Sequence, residues 1–386
     1  MERVEAAPTP SLLIWARESA GMSVEIAAHK AAVKSEKLIE WENGLSKPSV
    51  PQLRKLAVVY RRPLAAFYLA EPPRRFEVMH DFRQLSSGHV TYERSPKLAY
   101  EVRRAFDRRE WALELLQGLD ESPVVFNARA NLGENVEVVA NRLRQALSVL
   151  IEDQAKWSSA YDAFKNWRLL IERAGVLALQ ATGIQLSEAR GFSIGMHPLP
   201  VVVANIKDAP RGRIFTLIHE LVHVMLTVGG ICDLHDADEE AFCNQVAGAV
   251  LFPKDALLNS AVVRQHPKGS PVWSDIELQE LSRKFGGSRE AALVRLLTLK
   301  LTTQAFYERM RKEFLRIYRE QQVRRQEEEG FAPPHIIALS SAGPLFTNLV
   351  IENFNRERIT ASDVSDYLQI RVKHLKDLQA DILKEA

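Results

Sequence analysis

Apolar and polar residues follow a helical spacing along most of the chain. The longest nearly apolar segment covers residues 214–228, and only two threonines and a short polar motif interrupt it. Such a segment is typical of a buried helix, and Gly229-Gly230 predicts where it stops. A second helical pattern covers residues 239–253 and is closed by Pro253. The chain therefore predicts two neighbouring helices, with a polar stretch between them.

A short β-branched segment, Val201-Val202-Val203, follows Pro200 and predicts a strand that leads into the first of these helices. Peptidases commonly align an extended substrate along a strand edge, and this strand would suit that role. A purely structural strand is an equally good interpretation. The sequence does not separate the two.

Short helical patterns separated by Gly and Pro fill residues 12–60 and predict a compact all-helical bundle. Residues 94–119 follow as a charged amphipathic helix. We interpret its four clustered arginines as a solvated face, with a phosphate-contacting or docking surface as the alternative; they are Arg103, Arg104, Arg108 and Arg109.

The whole pattern predicts a mainly α protein with a small sheet, of the α+β class, in four parts. Residues 1–73 form the bundle and residues 74–154 a connecting helical region. Residues 155–318 hold the two central helices. Residues 319–386 combine a charged linker with a carboxy-terminal module of two or three short helices, in which Thr360 and Asp363 predict a helix start.

Composition and charge indicate the cellular compartment and the kinds of partner to expect. The chain has 386 residues, a formal charge of +2 and two cysteines, Cys232 and Cys243, so we expect reduced thiols and only a local nucleic-acid surface. The first ten residues lack the apolar core of a signal peptide, and no stretch of ~18 apolar residues occurs. We therefore expect a cytoplasmic protein with no membrane partner.

The polar motif inside the buried helix is His219-Glu220-Leu221-Val222-His223. Histidines four positions apart lie on one helix face, so both imidazoles can bind one metal ion. Glu220 then lies beside that ion as a general base, as in zinc peptidases. Chance alone would give this pattern in roughly two such chains in a hundred. The two histidines and the glutamate would also be costly to bury without a partner.

A third ligand is expected from the following helix. The metzincin pattern is excluded, because Leu226 and Gly229 occupy the positions where that class has Gly and His. Glu240 is the predicted ligand. Asn244, one turn later, is either a residue that orients Glu240 or a histidine, or an ordinary helix polar residue. Competitors for ligation remain: His235, Asp236, Asp238, Glu239 and Cys243.

These segments resemble the ImmA/IrrE family of metallopeptidases over roughly residues 155–318. The similarity rests on residues 190–193, 200–205, 213–220, 240–244 and 281–290, in that order. The resemblance implies that His219, His223 and Glu240 bind one zinc ion per chain and that Glu220 is the catalytic base. Manganese or iron could take the same ligands.

The amino-terminal bundle resembles the XRE, or Cro/repressor-like, helix-turn-helix family. Its most specific part is Ile39-Glu40-Trp41-Glu42-Asn43-Gly44, followed by Pro48 and Leu53. The resemblance implies a five-helix bundle, with a second helix near residues 23–30 and a recognition helix near residues 35–41 that has Ser35 as its N-cap.

If the bundle binds DNA, the recognition helix would present Lys37 to a base and would place Ser35 and Glu40 at the groove. Lys34, Lys47 and Arg17 would contact phosphates. Its acidic residues weaken this expectation, because carboxylates repel phosphates. Docking to protein, including formation of a homodimer, is the alternative.

Together the patterns predict a zinc endopeptidase fused to a DNA-binding domain. The resemblance implies that it cleaves a repressor-type protein, often itself a helix-turn-helix protein, in a stress or mobile-element response, with operator DNA as a second partner. Two alternatives stay open: a transcription regulator whose zinc site is structural or sensory, and an antitoxin-like protein-binding module. For Arg190, a salt bridge is the expected role and oxyanion stabilisation the alternative.

Overall fold

The computed structural model describes residues 5–60, 62, 64–71, 96–226, 237–328 and 332–385. In these residues the protein is mostly helical and has one three-stranded sheet, which confirms the predicted mainly α class with a small sheet. By its internal contacts the chain divides into two compact units, Met1–Arg104 and Ala105–Ala386. The finer boundaries at residues 73, 154 and 318 stay predictions.

The helices and strands are numbered along the chain. The first unit contains α1 (Pro10–Ser19), α2 (Val24–Ala31), α3 (Ser35–Glu42), α4 (Val50–Tyr60), a 3-10 helix (Leu64–Tyr68) and the start of α5 (Pro96–Gly118). The second unit continues with α6 (Val136–Ala146), α7 (Ile151–Gln154), α8 (Ala160–Arg173), β1 (Leu177–Ala181), β2 (Gly191–Ile194), β3 (Val201–Asn205), α9 (Pro210–Leu226), α10 (Ala237–Leu251), α11 (Lys254–Leu258), α12 (Ala261–Gln265), α13 (Asp275–Phe285), α14 (Arg289–Thr298), α15 (Gln304–Glu328), α16 (Pro334–Ala342), α17 (Pro344–Asn355), α18 (Ala361–Leu368), a 3-10 helix (Val372–His374) and α19 (Leu375–Glu385).

The first unit packs its early helices around Trp41, Tyr60 and Phe67, which are all buried. The predicted second and recognition helices correspond to α2 and α3. The Ser23 hydroxyl caps α2 by accepting a hydrogen bond from the backbone N–H of Ile26. The prediction of Ser35 as the N-cap of α3 is wrong by one residue, because Lys34 has the extended backbone of a cap and Ser35 is already helical.

The sheet of the second unit has the order β1-β3-β2, with β1 parallel and β2 antiparallel to β3. The strand predicted at Val201 is therefore the central one, and all its residues are buried. Its use as an edge for a substrate is wrong, because both of its edges already bind neighbouring strands. Among the described residues the edge strands are β1 and β2, and β2 contacts α9.

Helix α9 packs against the sheet and lies between α8 and α10. Most of its apolar side chains are completely buried, as the nearly apolar pattern predicts; among them are Leu217, Ile218, Leu221 and Val222. The helix begins four residues before the predicted segment, at Pro210, and its described part ends at Leu226. The predicted stop at Gly229-Gly230 lies outside the described residues.

The four clustered arginines of α5 are buried, so their interpretation as a solvated face is wrong. Each guanidinium finds acceptors inside the protein. Within the second unit, Arg108 donates to the carbonyl of Ser341 at 3.0 Å, and Arg109 donates to the carbonyls of Pro198 and Leu199 at 2.6 and 3.1 Å. A charge pattern alone does not reveal these acceptors, which come from distant parts of the chain.

The described residues of the carboxy-terminal module form four α-helices, α16 to α19, rather than two or three. The predicted helix start at Thr360 is confirmed: its backbone N–H donates to the Asp363 carboxylate at 2.7 Å, and its hydroxyl accepts from the Asp363 N–H at 3.3 Å. Helix α16 is held against β1, because the Ser340 carbonyl accepts hydrogen bonds from Arg168 and Gln180 at 2.6 and 2.7 Å.

No single helix within the described residues is long and apolar enough to cross a membrane. Helices α16 and α17 reach that length and composition only together, and they are bent by 112° at the break between them.

Candidate metal centre

His219 and His223 lie one turn apart on α9 and point their imidazoles at the same place. Their Nε2 atoms are 3.1 Å apart and their ring centroids 4.8 Å apart. His223 has a side chain that is 7% exposed, and that of His219 is 12% exposed. Two polar rings thus meet at one point on a helix whose other side chains form the core.

Glu240, in the first turn of α10, completes the group. Its Oε2 lies 3.3 Å from the Nε2 of His219, and its Oε1 lies 3.4 Å from the Nε2 of His223. Ligand atoms bound at about 2.0–2.1 Å in a tetrahedral site stand about 3.3 Å from one another. The three separations of 3.1, 3.3 and 3.4 Å therefore fit a small divalent ion. The predicted set of His219, His223 and Glu240 is brought together as one group.

Glu239 contacts the other nitrogen of the same histidine. Its Oε1 lies 2.9 Å from the Nδ1 of His223, whereas Glu240 approaches from the Nε2 side. A carboxylate on the second nitrogen fixes the orientation of the ring and its tautomer and makes the first nitrogen a better ligand. Glu239 thus occupies the orienting position that the sequence analysis gave to Asn244.

The side chain of Asn244 is exposed, and among the described residues it has no hydrogen bond to His219, His223 or Glu240. The prediction that it orients Glu240 or a histidine is therefore not met within the part of the chain that the structure describes. The glutamate side chain of Glu239 reaches His223 from the first turn of α10, and the shorter amide of Asn244, more than a turn further on, stays in solvent. The sequence signal for this orienting role was Glu239, a second acidic residue next to the predicted ligand Glu240.

Cys243 is buried and forms a second possible metal-binding group with His223 and Glu239. Burial raises the pKa of its thiol, against the effect of a hydrogen bond with His223. A raised pKa favours the neutral thiol, which is a poor metal ligand. Of the other competitors, Asp238 is exposed, and His235 and Asp236 lie outside the described residues, as does Cys232.

Glu220 follows His219 on α9 and lies against β2. The hydroxyl of Ser193 on that strand donates a hydrogen bond to its carboxylate. Burial raises the pKa of Glu220, while the imidazoles of His219 and His223 and the Ser193 hydrogen bond act to lower it. A carboxylate with a raised pKa is a stronger base than an exposed one. Ser193 lies in residues 190–193, which carry part of the family resemblance, but its position in the sequence predicts no role for it.

Gly191 allows β2 to approach the helix this closely. A Cβ atom on Gly191 would lie 2.3 Å from the Thr216 methyl group and 2.5 Å from the Val203 carbonyl oxygen. Any side chain here would push the strand away from α9 and from Glu220. Arg190, the preceding residue, forms the expected salt bridge, with 3.3 Å between its Nη1 and the Oδ2 of Asp208.

The predicted DNA contacts lie in the first unit and fall into two groups. Arg17 is buried in an ion pair, because its Nε and Nη2 donate to the Glu42 carboxylate at 2.7 and 3.0 Å. Its role as a phosphate contact stays a prediction, and this ion pair reduces the charge available for that contact. Lys34, Lys37 and Lys47 are exposed, and Ser35 and Glu40 are half-buried. Lys37 pairs with Glu40 at 2.6 Å, and Glu40 also accepts a hydrogen bond from Ser46.

A comparison with family models finds the IrrE N-terminal-like domain of the Peptidase M78 family at residues 171–297. This match covers about a third of the chain and includes the sheet, α9, α10 and every residue of the candidate centre. It supports an ImmA/IrrE-type metallopeptidase function for the chain. Neither the curated proteins nor the solved structures contain a match to this chain.

Replacing Glu239 with Ala is expected to weaken the binding of a divalent metal ion at this centre by about 10- to 100-fold, because the imidazole of His223 loses the carboxylate that orients it. Asn244→Ala is the matched control and should change the affinity less than about twofold. Competition with a chromophoric chelator measures both constants. An affinity that falls for Asn244→Ala and not for Glu239→Ala would reverse the two assignments.

Proposed function

We propose that the chain is a zinc-dependent endopeptidase in which His219, His223 and Glu240 hold the metal ion and Glu220 is the general base. The observation that carries this proposal is the convergence of two imidazole nitrogens and one carboxylate at 3.1–3.4 Å, inside a segment that matches a peptidase domain. Two histidine nitrogens and one glutamate oxygen are a common ligand set of catalytic zinc sites.

A bound zinc ion would supply Lewis acidity, which polarises the scissile carbonyl and makes a nearby water more acidic. The protein residues do the remaining chemistry. Glu220 accepts the proton of the attacking water and then donates it to the nitrogen of the leaving amine. Burial supports both steps, because it raises the pKa of Glu220 towards neutral pH, where a carboxyl group can both accept and donate a proton. The interaction with the Ser193 hydroxyl acts in the other direction and lowers the pKa of Glu220.

The free edge of β2 is the proposed binding position for the substrate backbone. Among the described residues, β2 pairs with β3 along one edge, and its other edge has no strand partner. Gly191 and Ser193 bring this strand against Glu220. A peptide added to the free edge would run past the base in an extended form, which is the conformation that strand addition gives to a bound peptide.

A purely structural zinc site is the competing role for the same residues. Structural zinc is normally closed by four protein ligands, whereas the described residues bring three to this point. Glu239 and Cys243 face His223 without joining the group formed by His219 and Glu240. Glu240 is also the most exposed of the three, with 36% of its side chain accessible, so the group opens towards solvent on its side. Both features favour catalysis.

For the first unit we propose a helix-turn-helix that brings the peptidase to operator DNA, with a repressor-type protein as the substrate in a stress or mobile-element response. Two eight-residue helices, α2 and α3, separated by three residues support this proposal. Exposed Lys34, Lys37 and Lys47 provide the positive charge near α3.

Protein docking is a second candidate for the same surface. Ile26, Ile39 and Leu45 are 42%, 44% and 77% exposed on or beside α2 and α3. Exposed apolar residues on neighbouring helices favour a protein partner, such as a repressor or a second copy of this chain. The salt bridge between Lys37 and Glu40 also reduces the charge available for DNA.

Replacing Glu220 with Gln is expected to lower peptide cleavage by about 10³-fold while zinc stays bound, because the amide keeps the shape of the side chain but cannot accept the proton. Cleavage of a mixed fluorogenic peptide library and the zinc content of the same samples are the two measurements. Glu280→Gln, an exposed glutamate elsewhere in the second unit, is the matched control. Unchanged cleavage by a zinc-loaded Glu220→Gln protein would contradict the assigned base.

Replacing Lys37 with Ala is expected to weaken binding to the DNA upstream of the chain's own gene by about 5- to 150-fold, which corresponds to one lost base contact of about 1–3 kcal/mol. Lys55→Ala, an exposed lysine on α4, should leave the affinity unchanged. Gel shifts at several salt concentrations measure both. Absent binding, or equal binding by the two variants, would count against a DNA reader and favour protein docking.

A further inference from the structure

A second group of metal-binding side chains lies in the carboxy-terminal module, outside the segment that matches the peptidase domain. His335, His374 and Asp377 each offer one ligand atom, and these atoms lie within 4.8 Å of one another. They come from three elements: the first turn of α16, the end of the second 3-10 helix and the first turn of α19. The chain brings them together across about 40 residues of sequence.

Asp381 lies beside this group and contacts one of its members. Its Oδ2 lies 3.3 Å from the Nε2 of His335. His374 immediately precedes α19, and Asp377 and Asp381 follow at intervals of three and four residues, which is the spacing that places side chains along one helix face. One face at the start of α19 is thus directed towards the single histidine of α16.

The environment of His335 favours an additional partner. The side chain is 17% exposed, and that of Asp381 is 22% exposed, so both are largely enclosed. The Nδ1 atom of His335 is buried and has no hydrogen-bond partner among the described residues. A buried polar atom without a hydrogen-bond partner is unfavourable. A metal ion bound through this nitrogen would supply the missing partner.

We propose that His335, His374 and Asp377 form a second divalent metal site, with Asp381 as the carboxylate that orients His335. Two imidazoles and one carboxylate suit zinc, cobalt or nickel, whereas calcium and magnesium prefer oxygen ligands alone. This site is independent of the proposed peptidase activity, because it shares no residue with His219, His223 and Glu240.

A metal ion at this site would hold the last helix, α19, in place. The ion would join the start of α19 to the start of α16, and the other end of α16 is held on β1 through the hydrogen bonds of Ser340 with Arg168 and Gln180. Metal binding would therefore stabilise the docking of the carboxy-terminal helix onto the unit that carries the sheet.

The test uses the full chain and separates the two sites by mutation. His219→Ala/His223→Ala removes the candidate centre on α9, and zinc itself is the probe. After stripping with a chelator, we expect this double variant to bind about one zinc ion per chain in equilibrium dialysis, and the variant that also carries His335→Ala and His374→Ala to bind none. His29→Ala in the same double-variant background is the matched control, since His29 is exposed, and should retain the ion.

Asp377→Asn provides a second test of the site if the histidine replacements impair folding. In the His219→Ala/His223→Ala background this change should raise the dissociation constant of zinc by about 10- to 100-fold without changing the circular dichroism spectrum. Zinc should also raise the Tm of the His219→Ala/His223→Ala protein. Absent zinc binding by the His219→Ala/His223→Ala protein would overturn the proposal. Unchanged zinc affinity in the Asp377→Asn variant would overturn it as well.

Discussion

Burial of two imidazoles on a helix whose other side chains form the core is the constraint on which the rest of the centre depends. A polar ring in such a place is stabilised when its nitrogens have partners. Glu239 provides a partner for the Nδ1 of His223, whereas the Nδ1 of His219 is buried without a hydrogen bond in the described part of the chain. The two Nε2 atoms face each other and Glu240, and a cation is the partner that satisfies all three.

The sheet and the flanking helices hold this arrangement in place. Gly191 brings β2 against α9, so that Ser193 reaches Glu220, while α10 supplies Glu239 and Glu240 from its first turn. Adjacent glutamates thus approach opposite nitrogens of one histidine. Acidic residues in the first turn are also favourable for α10 itself, because they face the positive end of the helix dipole. Local helix stability and metal binding therefore favour the same residue types.

The sequence predicted the residues whose spacing is set within one element. His219 and His223 follow from the helical repeat, the cap of α18 follows from Thr360 and Asp363, and the mainly α class follows from the overall pattern. The predictions that failed concern residues whose contacts come from other parts of the chain. The buried acceptors of Arg108 and Arg109, the central position of β3 and the choice between Glu239 and Asn244 depend on tertiary packing, which spacing along one helix does not encode.

The coordination of zinc at the α9–α10 centre tests the central claim most directly. Anomalous diffraction from crystals of the zinc-loaded protein would locate the ion and its ligands. We expect distances of about 2.0–2.2 Å from zinc to the Nε2 atoms of His219 and His223 and to a carboxylate oxygen of Glu240, with no fourth protein ligand. A fourth protein ligand, such as the Cys243 sulfur at about 2.3 Å, would close the site and contradict a catalytic role.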